Sequence, residues 1–158
     1  MSVGVYPGSF DPLTVAHLTV AQCAVRQLEL DRIDLAISRA TLGKAHLGDR
    51  TLADRVTAIE RAARTRPWLG VVVLDASLVA DIAAGYDAVV MGADKWAQVG
   101  DPVWYGGDAA ARDAAVLALP RVAVAPRGSV EVPDDLRLVV PDHIADVNRG
   151  IVWAKAHA

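Results

Sequence analysis

The residues best suited to chemistry lie together near the N-terminus, in Tyr6-Pro7-Gly8-Ser9-Phe10-Asp11-Pro12-Leu13-Thr14-Val15-Ala16-His17. Gly8 allows close backbone approach, Ser9 and Thr14 offer hydroxyls, and His17 falls in the first turn of the helix predicted to follow. A helix start presents unpaired backbone N–H groups at the positive end of the helix dipole, which suits an anion. A histidine placed there can hydrogen-bond a phosphate oxygen. A plain tight turn followed by a helix-end histidine is the alternative reading. The segment is not a dinucleotide fingerprint or a P-loop, because G-x-G-x-x-G and G-x-x-x-x-G-K-[ST] are both absent.

Such a segment needs a strand before it and a helix after it, and the hydrophobic pattern supplies both. Residues 3–6 form a short apolar run stopped by Pro7-Gly8, which reads as a buried strand. Residues 15–28 repeat apolar side chains at helical spacing through Leu18, Ala21, Val25 and Leu28. Strands are predicted at 33–37, 71–74, 88–91 and 122–125, with a further short strand at 136–140 between Pro133 and Pro141. Helices are predicted at 52–63, at 77–84 before Gly85, more loosely through Ala118, and from about Asp142 onwards. In the 52–63 helix, Leu52, Val56, Ile59 and Ala63 form the expected buried stripe, with Arg55, Glu60 and Arg61 off it. The alternation predicts an α/β protein with a Rossmann-like, doubly wound, mostly parallel five-stranded sheet. In such sheets ligands bind outside the carboxyl ends of the strands where the strand order reverses.

The bulk numbers set limits on the partner. The 158 residues carry 16 basic and 19 acidic side chains, for a net charge of −3. This length predicts one domain, and this charge argues against a dedicated nucleic-acid binder. Mean hydropathy is high at +0.29. The most apolar stretch, 71–90, is nevertheless broken by Asp75, Asp81 and Asp87, so no membrane span is expected. With no signal-peptide pattern at the N-terminus, a cytoplasmic location is expected. Cys23 is the only cysteine, which excludes an internal disulfide and a cysteine metal cluster, and no His/Asp/Glu spacing suggests a structural metal.

Gly8-Ser9-Phe10-Asp11-Pro12 followed by Thr14-Val15-Ala16-His17 resembles the signature of the nucleotidylyltransferase superfamily, whose helix start reads [HT]-x-G-H. The opening, with Thr14 in place of the first histidine, is most similar to phosphopantetheine adenylyltransferases. Val90-Met91-Gly92-Ala93-Asp94 and Trp104-Tyr105 are more similar to nicotinate-mononucleotide adenylyltransferases. Leu42-Gly43-Lys44-Ala45-His46, followed by Arg55, resembles the loop and helix after the second strand in both.

The resemblance implies transfer of AMP from ATP to a phosphate-bearing acceptor, with release of pyrophosphate. Nicotinate mononucleotide is the first acceptor expected and phosphopantetheine the alternative. Any Mg2+ would arrive with ATP. By position, Gly8, Ser9, Phe10 (through its backbone) and His17 would hold nucleotide phosphates, with Gly92, Asp94 and Arg149 completing the nucleotide site. His17, Lys44 and Thr14 would be the catalytic group. Lys44, Trp104, Tyr105 and Arg127 would face the acceptor, with Trp104 stacking on an aromatic ring. Members are often oligomers, so a homo-oligomer is also implied.

The sequence departs from the signature at two places. Ala16 stands where the motif has glycine, and its methyl group is expected to crowd the phosphates. The late Ile-Ser-Ser-Thr-x-x-[RK] signature is replaced by His143-Ile144-Ala145-Asp146-Val147-Asn148-Arg149, which keeps only the terminal cation. A nucleotide-binding or regulatory homologue without turnover is therefore a competing reading.

Overall fold

The computed structural model describes residues 1–39, 51–128 and 130–141. Among these, β1 (Val3–Pro7), β2 (Arg32–Ser38), β3 (Leu69–Leu74), β4 (Ala88–Gly92) and β5 (Arg121–Ala125) form one sheet in the order β3-β2-β1-β4-β5. Every pairing is parallel, with Val5 opposite both Asp34 and Val89, and Val89 opposite Val122. The chain steps outward from β1 to β3, then returns to build β4 and β5 on the other side of β1. The order therefore reverses between β1 and β4.

Alternate strand residues feed two cores, as the two-residue period of a strand requires. Tyr6, Leu35, Val90 and Ala125 face one side, packed under Leu18, Ala21 and Ala24 of α1 (Val15–Gln27) and Ile59 and Ala62 of α2 (Leu52–Ala63). Val5, Ala36, Val89 and Val124 face the other, against α3 (Val79–Ala83) and α4 (Ala93–Val99). Coverage of both faces explains why the strands read as continuous apolar runs. Trp68 packs against the first core and Trp96 against the second. Cys23 is half-buried against the first, and burial pushes its thiol pKa up.

Three predicted elements differ. The 77–84 helix is reduced to α3, because Leu78 at its N-cap offers no side-chain acceptor. The looser helical region resolves into α4, a 3-10 turn at Pro102–Tyr105 and α5 (Ala109–Leu117). The short strand at 136–140 does not form. A 3-10 turn occupies Asp134–Leu136, and a single bridge pairs Arg137 with Val124. Beyond it, both backbone groups of Val139 are taken by the Gln27 side chain. Gln27 Nε2 donates to the Val139 carbonyl at 2.7 Å, and the Val139 N–H donates to Gln27 Oε1 at 2.9 Å. The helix predicted from Asp142 lies outside the described residues.

Towards the amino ends of the strands, buried Asp34 accepts from the Tyr86 hydroxyl at 2.8 Å and pairs with Arg32 Nε at 3.0 Å. Burial, reinforced by that bond to Asp34, pushes the Tyr86 hydroxyl pKa up to about 12. Among the described residues, no helix is long and apolar enough to cross a membrane.

Candidate functional site

The loop after β1 begins at the point where the strand order reverses. The Gly8 N–H donates to the Ala36 carbonyl at 3.0 Å, continuing the β1–β2 ladder by one rung. Glycine is required here by Phe10, since a Cβ on residue 8 would lie 2.9 Å from the tip of its ring. The Phe10 ring thus packs closely against Gly8. Phe10 is almost fully buried with φ of 47°, a left-handed conformation uncommon outside glycine. Its ring meets Tyr6 edge-on at 5.3 Å and His17 at 5.0 Å.

Thr14 caps α1 in extended conformation, with its Oγ1 accepting the His17 N–H at 3.2 Å. The His17 ring reaches back in turn, so that Nδ1 accepts the Thr14 backbone N–H at 3.0 Å. This is a capping box with histidine in the role usually taken by Glu or Gln. A backbone N–H can only donate, so Nδ1 is the unprotonated nitrogen and the ring proton sits on Nε2. Burial against Tyr6 and Phe10 lowers the His17 pKa to about 4, and the ring is neutral at pH 7. The result is a fixed, uncharged N–H donor at the start of a 13-residue helix. Ala16 beside it is buried at 1% exposure.

On the other side of the reversal, Gly92 ends β4 and caps α4. A Cβ there would meet no atom of the described residues within 4 Å. Asp94 and Arg127, expected on different substrates, are joined to each other by an ion pair that ties α4 to the loop after β5. Trp104 and Tyr105 occupy the 3-10 turn, where the Tyr105 hydroxyl donates to the Val99 carbonyl at 3.0 Å. Burial raises the Tyr105 pKa. No hydrogen bond or ring contact among the described residues joins that turn to the His17 loop. Thus Gly8, Ser9, Phe10, Thr14 and His17 form one connected group, while Asp94 with Arg127 and Trp104 with Tyr105 form two others. Lys44 and Arg149 lie outside the described residues, as do 42–46 and 143–149. Among the described residues, no group of three or more His, Cys, Asp or Glu side chains could hold a metal ion.

Arg55, noted in sequence only as part of the resemblance and as lying off the apolar stripe of its helix, is instead buried. It lies at 3% exposure on the buried side of α2, and its Nη1 donates to the Ser9 carbonyl at 3.0 Å. Its spacing from Leu52 and Ile59, three and four residues, was the available signal, masked by its charge.

A parallel sheet with a helix-start donor at its point of reversal defines a Rossmann-like α/β protein with a candidate anion site. Residues 5–125 match the cytidylyltransferase-like family, and the chain belongs to that family of nucleotidyltransferases. Among solved structures, it is similar to nicotinic acid mononucleotide adenylyltransferase of Plasmodium falciparum, complexed with NaAD. The TM-score is 0.62 at 15% identity, over 91% of this chain and 78% of that one. At this identity the likeness concerns the fold. No curated protein matches the sequence.

Proposed function

We propose that the protein transfers AMP from Mg-ATP to the phosphate of a small acceptor, with nicotinate mononucleotide favoured. The observation that carries this reading is the Thr14–His17 box. It fixes a neutral Nε2–H donor at the helix start, in the loop that leaves β1 where the strand order reverses. The acceptor is supported by the Gly92-to-Asp94 segment, by Trp104-Tyr105 and by the NaAD bound in the structural neighbour.

In this reaction an oxygen of the acceptor phosphate attacks the α-phosphorus of ATP. The new P–O bond forms as the bond to the bridging oxygen breaks, and pyrophosphate leaves with that electron pair. A phosphate monoester is largely dianionic at neutral pH, its second pKa being about 6, so no protein base is needed to activate it. The protein's part is to position the reactants and stabilise charge on the transferring group. His17 donates Nε2–H to a phosphate oxygen without giving up its proton, and the Ser9–Phe10 backbone and Gly92 line the phosphate path. Lys44 and Arg149 are the cations assigned to the acceptor phosphate and the triphosphate, and Mg2+ enters as part of the nucleotide substrate.

His17→Ala is expected to lower turnover by at least ~100-fold, as for loss of one preorganised donor. Pyrophosphate release measured with each acceptor checks this, and an unchanged rate removes His17 from the mechanism. The same assay covers the other readings. Phosphopantetheine is favoured by the opening motif with Thr14. Binding without turnover is favoured by Ile144, Ala145 and Asp146 where the late signature has hydroxyls. CTP in place of ATP tests the choice of nucleotide.

A further inference from the structure

Arg55 combines three features that a purely structural residue would not need. It is almost completely buried, and among the described residues its side chain's one hydrogen-bond partner is the neutral Ser9 carbonyl while its buried Nε has none. An arginine stays charged at any accessible pH. Among the described residues no carboxylate pairs with it; burying a charge in that way is unfavourable, and an apolar residue of similar volume would serve packing better.

The position of the Ser9 carbonyl gives the arrangement a purpose. In a planar trans peptide the carbonyl and the following N–H point in opposite directions. By holding the Ser9 carbonyl towards α2, Arg55 turns the Phe10 N–H away from α2. Phe10 itself is in a left-handed conformation, which persists only where the surroundings enforce it. Its ring is held by Tyr6 and His17, and the preceding carbonyl is held by Arg55.

We propose that Arg55 is a positioning residue: it orients the Ser9–Phe10 peptide so that the Phe10 N–H faces the phosphates, and its buried charge is balanced by the anion that binds there. This rests on the phosphate-site reading above.

The test uses pyrophosphate as the probe, with affinity measured by calorimetry and unfolding followed with and without it. Arg55→Met is expected to unfold without ligand at the wild-type temperature or higher, yet to bind pyrophosphate at least tenfold more weakly. Arg55→Lys keeps the charge without the guanidinium fork and is expected to fall between the two. A structural role alone gives the reverse pattern: Arg55→Met is less stable, while its folded fraction binds as wild type does. That result overturns the proposal. If Arg55→Met does not fold, Arg55→Lys decides, and affinity within twofold of wild type overturns it. If His17→Ala abolishes pyrophosphate binding and Arg55→Met leaves it unchanged, the Arg55 inference fails alone. If the wild-type protein binds no pyrophosphate, the phosphate-site reading fails, and the inference with it.

Discussion

His17 both accepts and donates within its own helix cap, and this settles its chemistry more firmly than its residue type does. With Nδ1 engaged by the Thr14 N–H, the ring can offer only Nε2–H outward. Its pKa near 4 when folded, against about 6.5 for a free histidine, makes a pH prediction possible. Between these values the folded protein binds fewer protons than the unfolded chain, so stability rises with pH. The contribution is fully present above about pH 6.5 and is lost as pH falls towards 4, with a slope of up to about 1.4 kcal/mol per pH unit. Unfolding temperatures across this window are expected to fall less steeply for His17→Ala than for wild type, and parallel curves would refute the assignment. Gly92 allows a complementary test. A methyl group meets no described neighbour there and a φ of −75° suits alanine, but alanine caps a helix less well than glycine, so Gly92→Ala is expected to leave the unfolding temperature unchanged or slightly lowered. Nucleotide affinity is expected to drop about tenfold as the methyl group occupies the phosphate path, by analogy with the loss of about 1.4 kcal/mol. Unchanged affinity would place the nucleotide elsewhere.

At the scale of elements, the ends of the sheet have separate tasks. The carboxyl ends of β1 and β4 carry the candidate site, while Asp34, Arg32 and Tyr86 tie β2 to the segment entering β4 near the other end. Asp34→Ala removes the acceptor of the Tyr86 hydroxyl and is expected to destabilise by about 1–3 kcal/mol. Pyrophosphate affinity of the folded protein should not change, and denaturant unfolding alongside calorimetry separates the two effects. The elements also show where sequence reading reaches its limit. Strand positions were legible because both faces of the sheet are covered, and the β1 loop was legible because Gly8, Thr14 and His17 are unusual together. The 136–140 strand was misread because hydropathy does not reveal that Gln27 satisfies the backbone of Val139. Arg55 reads as lying off the apolar stripe because its charge outweighs its spacing. That Phe10 also packs against Gly8 was not legible, because the contact depends on a backbone angle the sequence does not display.

For the whole molecule, an excess of acid over base makes a polyphosphate partner an electrostatic burden unless the site supplies its own donors. The described residues offer neutral ones: the His17 ring, the start of α1 and the turned Ser9–Phe10 peptide. Arg127 pairs with Asp94, and the proposed function assigns Lys44 and Arg149 to phosphate. In the proposed function, this arrangement transfers AMP to an acceptor phosphate. Incubation with Mg-ATP and nicotinate mononucleotide, followed by mass spectrometry, tests it most directly. A dinucleotide is expected, formed in equal amount with pyrophosphate and suppressed by His17→Ala. A folded protein that binds ATP but forms no adenylylated product with nicotinate mononucleotide or phosphopantetheine would contradict it.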